Sequence, residues 1–497
     1  MSKMIDEIRA AVDGQRSLIY LQTHEEDRVV DALHQLAKEC FDKGKVSTWT
    51  CTDGLDGAKG KDTYDPARAL QTIVESPHEG FYVMKDLSGF IERQEVIRGL
   101  RDAYHEFSAD AKTYVVILSP IRVIPDALDK EMCLVEVPLP DGHELLAHVL
   151  AIREAYPDVT FSEAFQSEMS LALRGLTLRE AGHLMHRVFK SANPTEDEIL
   201  TQIFQEKKWL LRKAGYLEFI PQRLDLAMIG GLEVLKDWVA RRRELFTQEA
   251  VDADLPVPRG VLIMGISGCG KSMSAKAIAS LWRVPLFRLD MNLVFSGMYG
   301  SPEEAFHRAM KAIESVAPAV LWIDEIENAL GMTSDSTTAE QALTFSSFLT
   351  WMQERPPLVF IAATANKIET LPAEIIRKGR FDEVFFCDLP GDEERAAIFR
   401  IHLELNGIDP DAMEIHRLLH PTRGWTGAEI EQAVIGARID ALQEKREVKF
   451  DDLVRHAIRM VPLSTTMAEQ IRAIRSWSHN RATLASKAKP KSMVPEK

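Results

Sequence analysis

Short apolar runs, separated by stretches with helical spacing, set the pattern of this chain. In the C-terminal half, Pro258–Gly265 (PRGVLIMG) is an apolar run ending in glycine, which predicts a buried strand. GISGCGKS follows, and then MSAKAIASLW, which predicts a helix. Ala319–Ile323 (AVLWI) and Leu358–Ala363 predict two more strands. The N-terminal half repeats the rhythm with Ser17–Thr23 (SLIYLQT), Gly80–Leu87 (GFYVMKDL) and Thr113–Pro120 (TYVVILSP). Strands alternating with helices predict α/β layers.

Two local matches relate the halves. Arg174, Gly175, Thr177 and Glu180 coincide with Arg423, Gly424, Thr426 and Glu429, an offset of 249. Leu139-Pro140 coincides with Leu389-Pro390, an offset of 250, and each pair precedes a helical stretch. The agreement predicts two copies of one α/β module, unless an unrelated α/β domain carries two chance matches.

Composition narrows the classes. With 497 residues, 45% hydrophobic and 27% charged, the chain is globular and long enough for several domains with real cores. A net charge of −15 argues against general nucleic-acid binding. Residues 481–497 are the exception, with five basic residues and one acid, and predict a disordered, solvated tail. Five scattered cysteines without a CxxC argue against a disulfide framework or zinc ribbon and suit a reducing compartment. The first residues lack a secretory pattern, and no apolar run approaches membrane-spanning length.

The candidate chemistry sits in the C-terminal half. GISGCGKS fits GxxxxGK[ST], with Gly265, Gly270, Lys271 and Ser272 at the fixed positions. Between a strand and a helix, such a loop lets backbone amides approach phosphate oxygens. Lys271 then reaches the β- and γ-phosphates of ATP, and the Ser272 hydroxyl ligates Mg²⁺. The strand Ala319–Ile323 ends in Asp324 and Glu325. Asp324 is expected to hold the Mg²⁺ water shell, and Glu325 to act as general base on the attacking water. Asn366, beyond the third strand, is expected to orient that water. Arg377 and Arg380 flank Gly379. They read either as charge-stabilising arginines or as ordinary surface ion pairs. Cys269, inside the loop, reads as a small filler, with oxidation as the alternative. His143 and His148 are five apart, so HExxH zinc-protease geometry is absent.

Together these residues closely resemble the AAA clade of AAA+ ATPases over about residues 227–439. AMIGGLEVLKDWV resembles the family's adenine segment, making Ile229 and Gly230 candidate ATP contacts. GISGCGKS is similar to Walker A, so Ile266, Ser267, Gly268, Cys269 and Met273 join the ATP-binding set. LWIDEIE resembles Walker B, and TAN resembles sensor 1. LPAEIIRKGRFDEV resembles the second region of homology, which implies that Arg377 and Arg380 are fingers acting on a neighbouring subunit. ERAAIFRIH with His402, and GWTGAEIE with Gly427 and Ala428, resemble the lid beside the adenine. The first pore loop of threading members is aromatic-hydrophobic-glycine. Here Met298, Tyr299 and Gly300 shift the aromatic one place, leaving threading and core packing both open. The whole chain resembles, more narrowly, the family named for the hypothetical chloroplast reading frame forty-six, through THEEDR, KAGYLEF, FLTWMQE, RKGRFDE and VPLSTTM.

The resemblance implies a C-terminal P-loop AAA+ module, a parallel sheet with a helical lid, preceded by a degenerate AAA-like α/β module with its own lid. The expected divisions are 1–140 for the degenerate domain, 141–215 for its lid-like region, 216–388 for the large ATPase domain, 389–462 for its lid and 463–497 for a polar basic tail. In the first module HEEDR stands where the phosphate loop would be, Asp86 is followed by Leu87, and ALDKEM lacks arginine. That half is expected to hydrolyse nothing. The expected function is Mg²⁺-dependent ATP hydrolysis by a homo-oligomer, a hexamer by resemblance, in cytoplasm or plastid stroma. Its use is either remodelling of an unknown protein substrate or ATP-gated scaffolding. Nucleic-acid remodelling is disfavoured by charge, and no membrane is involved.

Overall fold

Where apolar runs alternate with helical stretches, the computed structural model contains two separate sheets. It describes residues 3–57, 63–108, 112–191, 194–212, 215–221, 228–296, 301–329, 339–367, 371–377, 379–479 and 481–487. The chain divides into two units, Met1–Thr160 with Leu176–Asn193, and Phe161–Gly175 with Pro194–Lys497.

The first unit contains β1 (Leu18–Gln22), β2 (Lys45–Thr50), β3 (Gly54–Leu55), β4 (Gly80–Lys85), β5 (Thr113–Ser119) and β6 (Met132–Glu136). Their order is β3-β2-β4-β5-β1-β6, parallel except for the β2–β3 pair. Every residue of β5 is buried, as a parallel strand covered on both faces requires. Alternate residues feed two cores: Ile19, Phe81 and Val116 on one face, Tyr20, Tyr82 and Ile117 on the other.

The second unit contains β7 (Leu217–Ile220), β8 (Gly260–Gly265), β9 (Leu286–Leu289), β10 (Ala319–Ile323), β11 (Val359–Ala365), β12 (Glu383–Cys387) and β13 (Thr483–Leu484). Their order is β13-β12-β8-β11-β10-β9-β7, with only the β7–β9 pair antiparallel. β8, β10 and β11 are buried throughout.

The five parallel strands common to both units follow one order. Numbered within each unit, it is fifth, first, fourth, third, second, with β1 and β8 as the first strands. The repeat suggested by two short matches is therefore present in the topology. The matched residues themselves are helix starts. Thr177 and Glu180 form a capping box on the helix Leu178–Phe189, as Thr426 and Glu429 do on Gly427–Gln443.

Two expectations need correction. Of the region 141–215, the helices Gly142–Arg153 and Leu178–Phe189 stay with the first unit. The helices Glu163–Leu173 and Glu196–Arg212 belong to the second. Arg283 holds Glu168 at 3.0 Å, and the fully buried Lys207 donates to the Val316 carbonyl at 2.9 Å. Nor is the expected tail unstructured over its described residues, 463–479 and 481–487. Residues 463–478 include the helices Leu463–Thr466 and Ala468–Ser478, and β13 adds an edge strand beside β12. Ala485 is fully buried, and its amide donates to Phe386. Among the described residues no helix is long and apolar enough to cross a membrane.

Candidate active site

The site begins where β8 stops. Gly265 has φ +143°, and a Cβ there would fall 2.1 Å from the Cys387 carbonyl oxygen. That close approach lets the next amide, of Ile266, donate to the same oxygen at 3.1 Å. Gly268 has φ +78°, and a Cβ on it would press to 3.0 Å from Ala428 at the start of a lid helix. The loop then enters the helix Lys271–Trp282, whose first amides and dipole favour an anion. Lys271 is buried and folds back on the loop, its Nζ donating to Gly265 at 3.0 Å and Ile266 at 2.9 Å. Burial pulls its pKa below the usual lysine value, opposed by nearby acids and thiols. A phosphate offers this ammonium a stronger partner than two neutral carbonyls.

The acids stand at the tip of the neighbouring strands. The Thr364 hydroxyl donates to Asp324 Oδ1 at 2.6 Å and accepts the Glu325 amide at 3.0 Å. Glu325 adopts a left-handed φ of +48°, unusual for a side chain of its size, and its carboxylate is exposed. Asn366 Nδ2 donates to Glu325 Oε1 at 2.6 Å. Glu327 is fully buried, and its Oε1 accepts the amides of Asn366 at 2.8 Å and Lys367 at 3.0 Å. Thr364 and Glu327 thus fix the two groups that face the cleft. Sequence reading missed both; the only signals were a hydroxyl two places before Asn366 and a second acid two places after Glu325.

One cleft of about 410 Å³ gathers most of the expected residues. Ile229, Gly230, His402, Gly427 and Ala428 line it together with Ser267, Gly268, Cys269, Gly270, Lys271, Ser272, Met273, Asp324, Glu325 and Asn366. Gly265 and Ile266 line an adjoining groove, which Ser267 and Asn366 share. Burial lowers the His402 pKa, favouring a neutral imidazole. Burial also raises the Cys269 thiol well above its usual value, so a reactive thiolate is disfavoured there.

The arginines lie elsewhere. Arg377 and Arg380 are absent from the lining of this cleft. Arg377 is exposed, and Arg380 donates to the Glu374 carbonyl. Their loop is tied to the start of β8 by Asp382, whose carboxylate accepts the amides of Arg259 at 2.6 Å and Gly260 at 3.0 Å. Met298, Tyr299 and Gly300 lie outside the described residues.

Comparison with known proteins gives the family. Residues 261–389 match the family model described as ATPase family associated with various cellular activities (AAA). Residues 4–137 match the model described as SpoVK-like AAA ATPase, N-terminal domain. A relative from Pyropia yezoensis, named "Uncharacterized AAA domain-containing protein ycf46", is 32% identical over 479 residues, covering 95% of this chain and 97% of the relative. The chain belongs to the ycf46 family of AAA domain-containing proteins. A relative of the same name from Guillardia theta is 32% identical over 496 residues, covering 97% of this chain and 96% of its own. The cell division cycle protein 48 homolog of Archaeoglobus fulgidus is 25% identical over 358 residues, 66% of this chain and 47% of the relative.

A ycf46-family site of this shape suits a nucleotide with its metal. Among the described residues no cluster of three or more His, Cys, Asp or Glu could hold a metal alone. Ser272 and Asp324 supply only two groups. That donor set fits an Mg²⁺ completed by water and phosphate oxygens rather than by a protein cage.

Proposed function

We propose that the protein is a Mg²⁺-dependent ATPase that works as a ring of identical subunits, a hexamer, and remodels a protein partner. Lys271 and the loop amides bind the phosphates, and Ser272 and Asp324 hold the metal, Asp324 through water. The metal neutralises phosphate charge when bound. Glu325 accepts a proton from the attacking water, and Asn366 orients carboxylate and water together. Ile229, Gly230, His402, Gly427 and Ala428 receive the base. The observation that carries this reading is a division of labour: Lys271, Asp324, Glu325 and Asn366 converge on one cleft, while Arg377 and Arg380 do not line it. Groups that stabilise transferring phosphate yet stand away from their own site suit a site shared with a neighbour.

The test is a trap. Glu325→Gln should bind ATP and retain a client, and Lys271→Ala should capture none. A protein that co-purifies with the trap and leaves wild type on hydrolysis supports remodelling. The second reading is an ATP-gated scaffold, favoured by the aromatic of the 298–300 stretch standing one place off the threading pattern. An ATP-dependent ring without a hydrolysis-sensitive client selects it. The charge of −15 leaves nucleic acid the least favoured partner.

A further inference from the structure

The segment after the lid reaches the nucleotide cleft at three places. The Leu463 amide donates to Glu429 Oε1 at 2.6 Å, and Glu429 caps the helix whose first residues, Gly427 and Ala428, line the cleft. Arg475 pairs with Asp388 at 2.8 Å, where the chain leaves β12 for the lid. The last contact is the closest to the base end. The Ala485 carbonyl accepts the amides of Val234 at 3.0 Å and Leu235 at 3.2 Å. These belong to the start of the helix Glu233–Arg242, which has no side-chain cap. The Ser486 hydroxyl accepts the Leu232 amide at 3.4 Å and itself lines the cleft beside Ile229 and Gly230. Leu232 holds a left-handed φ of +59°. A non-glycine residue persists there only when its surroundings impose it. Here residues 485–486 are among the groups that do.

We propose that residues 483–487 form part of the base-side wall of the ATP cleft. In it Ser486 and the Ala485 carbonyl position the Ile229–Leu232 segment, so that adenine selection depends on this strap. The proposal rests on the cleft being an ATP site. Its residues act through the adenine segment and leave the phosphate loop alone.

The full chain is compared with chains ending after Lys487 and after Arg481, and with Ser486→Ala and Ser486→Thr. The readouts are KM and kcat for ATP, the preference for ATP over GTP, and inhibition by inorganic tripolyphosphate, which engages only the phosphate end. Ending after Lys487 should change nothing. Ending after Arg481 should raise KM for ATP about tenfold, with kcat changed less than about twofold and base preference largely lost. Tripolyphosphate inhibition should persist. Ser486→Ala should raise KM about threefold, and Ser486→Thr should restore it. Unchanged KM and base preference in both the Arg481 chain and Ser486→Ala overturn the proposal. So does parallel loss of ATP and tripolyphosphate binding in the shortened chain with base preference intact in Ser486→Ala. Failure of the wild-type chain to bind ATP at all would instead refute the ATP reading itself.

Discussion

After β8 the chain takes five residues, Ile266–Gly270, before its helix begins at Lys271; after β1 it takes three, Thr23–Glu25, before Glu26. The longer turn carries glycines that open a cradle. The shorter one puts an acid in the same topological place. Glu25 is buried, accepting the Leu178 amide at 2.7 Å through Oε1 and Arg28 at 2.9 Å through Oε2. Arg28 also holds the Pro138 carbonyl at 2.7 Å and Glu144 at 2.6 Å. In the second unit the equivalent tie between turn and lid is a backbone bond, Ala428 to Gly268 at 3.2 Å. The strand tips diverge as well. Asp86 and Glu325 share a left-handed φ, +53° and +48°. The register places Lys85, and not Asp86 as the sequence pattern suggested, where Asp324 stands, and Lys85 pairs with Glu26 at 3.1 Å. An acid thus stands in the turn that matches the glycine loop, and a lysine at the strand-tip place of Asp324. The first unit keeps the sheet and carries ion pairs of its own at that turn and strand tip. Persistence of a fold says nothing about persistence of its chemistry.

This contrast can be attacked from several sides. Glu325→Gln should cut turnover on the order of a thousandfold while ATP binding survives, since a general base contributes roughly 10²–10⁴. Steady-state and binding assays on one preparation decide it; retained turnover moves the base elsewhere. Lys271→Ala should weaken ATP binding by about two orders of magnitude, as expected for a buried charge-assisted phosphate contact. Calorimetry should then find no second site, whereas residual tight binding would show that the first unit is not inert. Arg28→Ala should destabilise the first unit by about 3 kcal/mol, because it strands the buried Glu25 carboxylate. Denaturant unfolding reads this loss, and ATP affinity should not move.

The smallest effect is in the pH dependence. Burial raises the Glu25 pKa above 4.5 despite Leu178 and Arg28. The folded unit keeps that proton longer than the unfolded chain does. Its stability should therefore fall as pH rises from 4.5 through the folded value, and Glu25→Gln should flatten that slope. Asp452, in the lid of the second unit, behaves oppositely. Hydrogen bonds from Arg446 hold it at about 2, below its ordinary 3.8. Its contribution is present above 3.8 and is lost as pH falls towards 2. Unfolding followed separately in the two units should show slopes of opposite sign from these two groups.

The catalytic half was legible because its signals are local. A glycine loop between strand and helix, or Asp-Glu at a strand tip, is written in consecutive letters. The helices Glu163–Leu173 and Glu196–Arg212 were assigned to the wrong partner because an amphipathic face does not name what it packs against. The strap at 483–487 was invisible for another reason. It is bound mainly through backbone amides and carbonyls, which every residue carries, and its one deeply buried side chain is an alanine. Thr364 and Glu327 escaped notice because each acts across strands, on residues roughly 40 positions away.

The interleaving of the two units also constrains how the protein is made. The helix Glu163–Leu173 leaves the ribosome before any strand of the sheet in its own unit. From Leu173 to the end of β12 at Cys387 is 214 residues, roughly 10–40 s of synthesis at 5–20 residues per second. For that interval the helix has no sheet of its own unit beside it, and the helix it packs against, Glu196–Arg212, follows only 23 residues later. The unit's two leading helices can therefore pair well before its sheet exists.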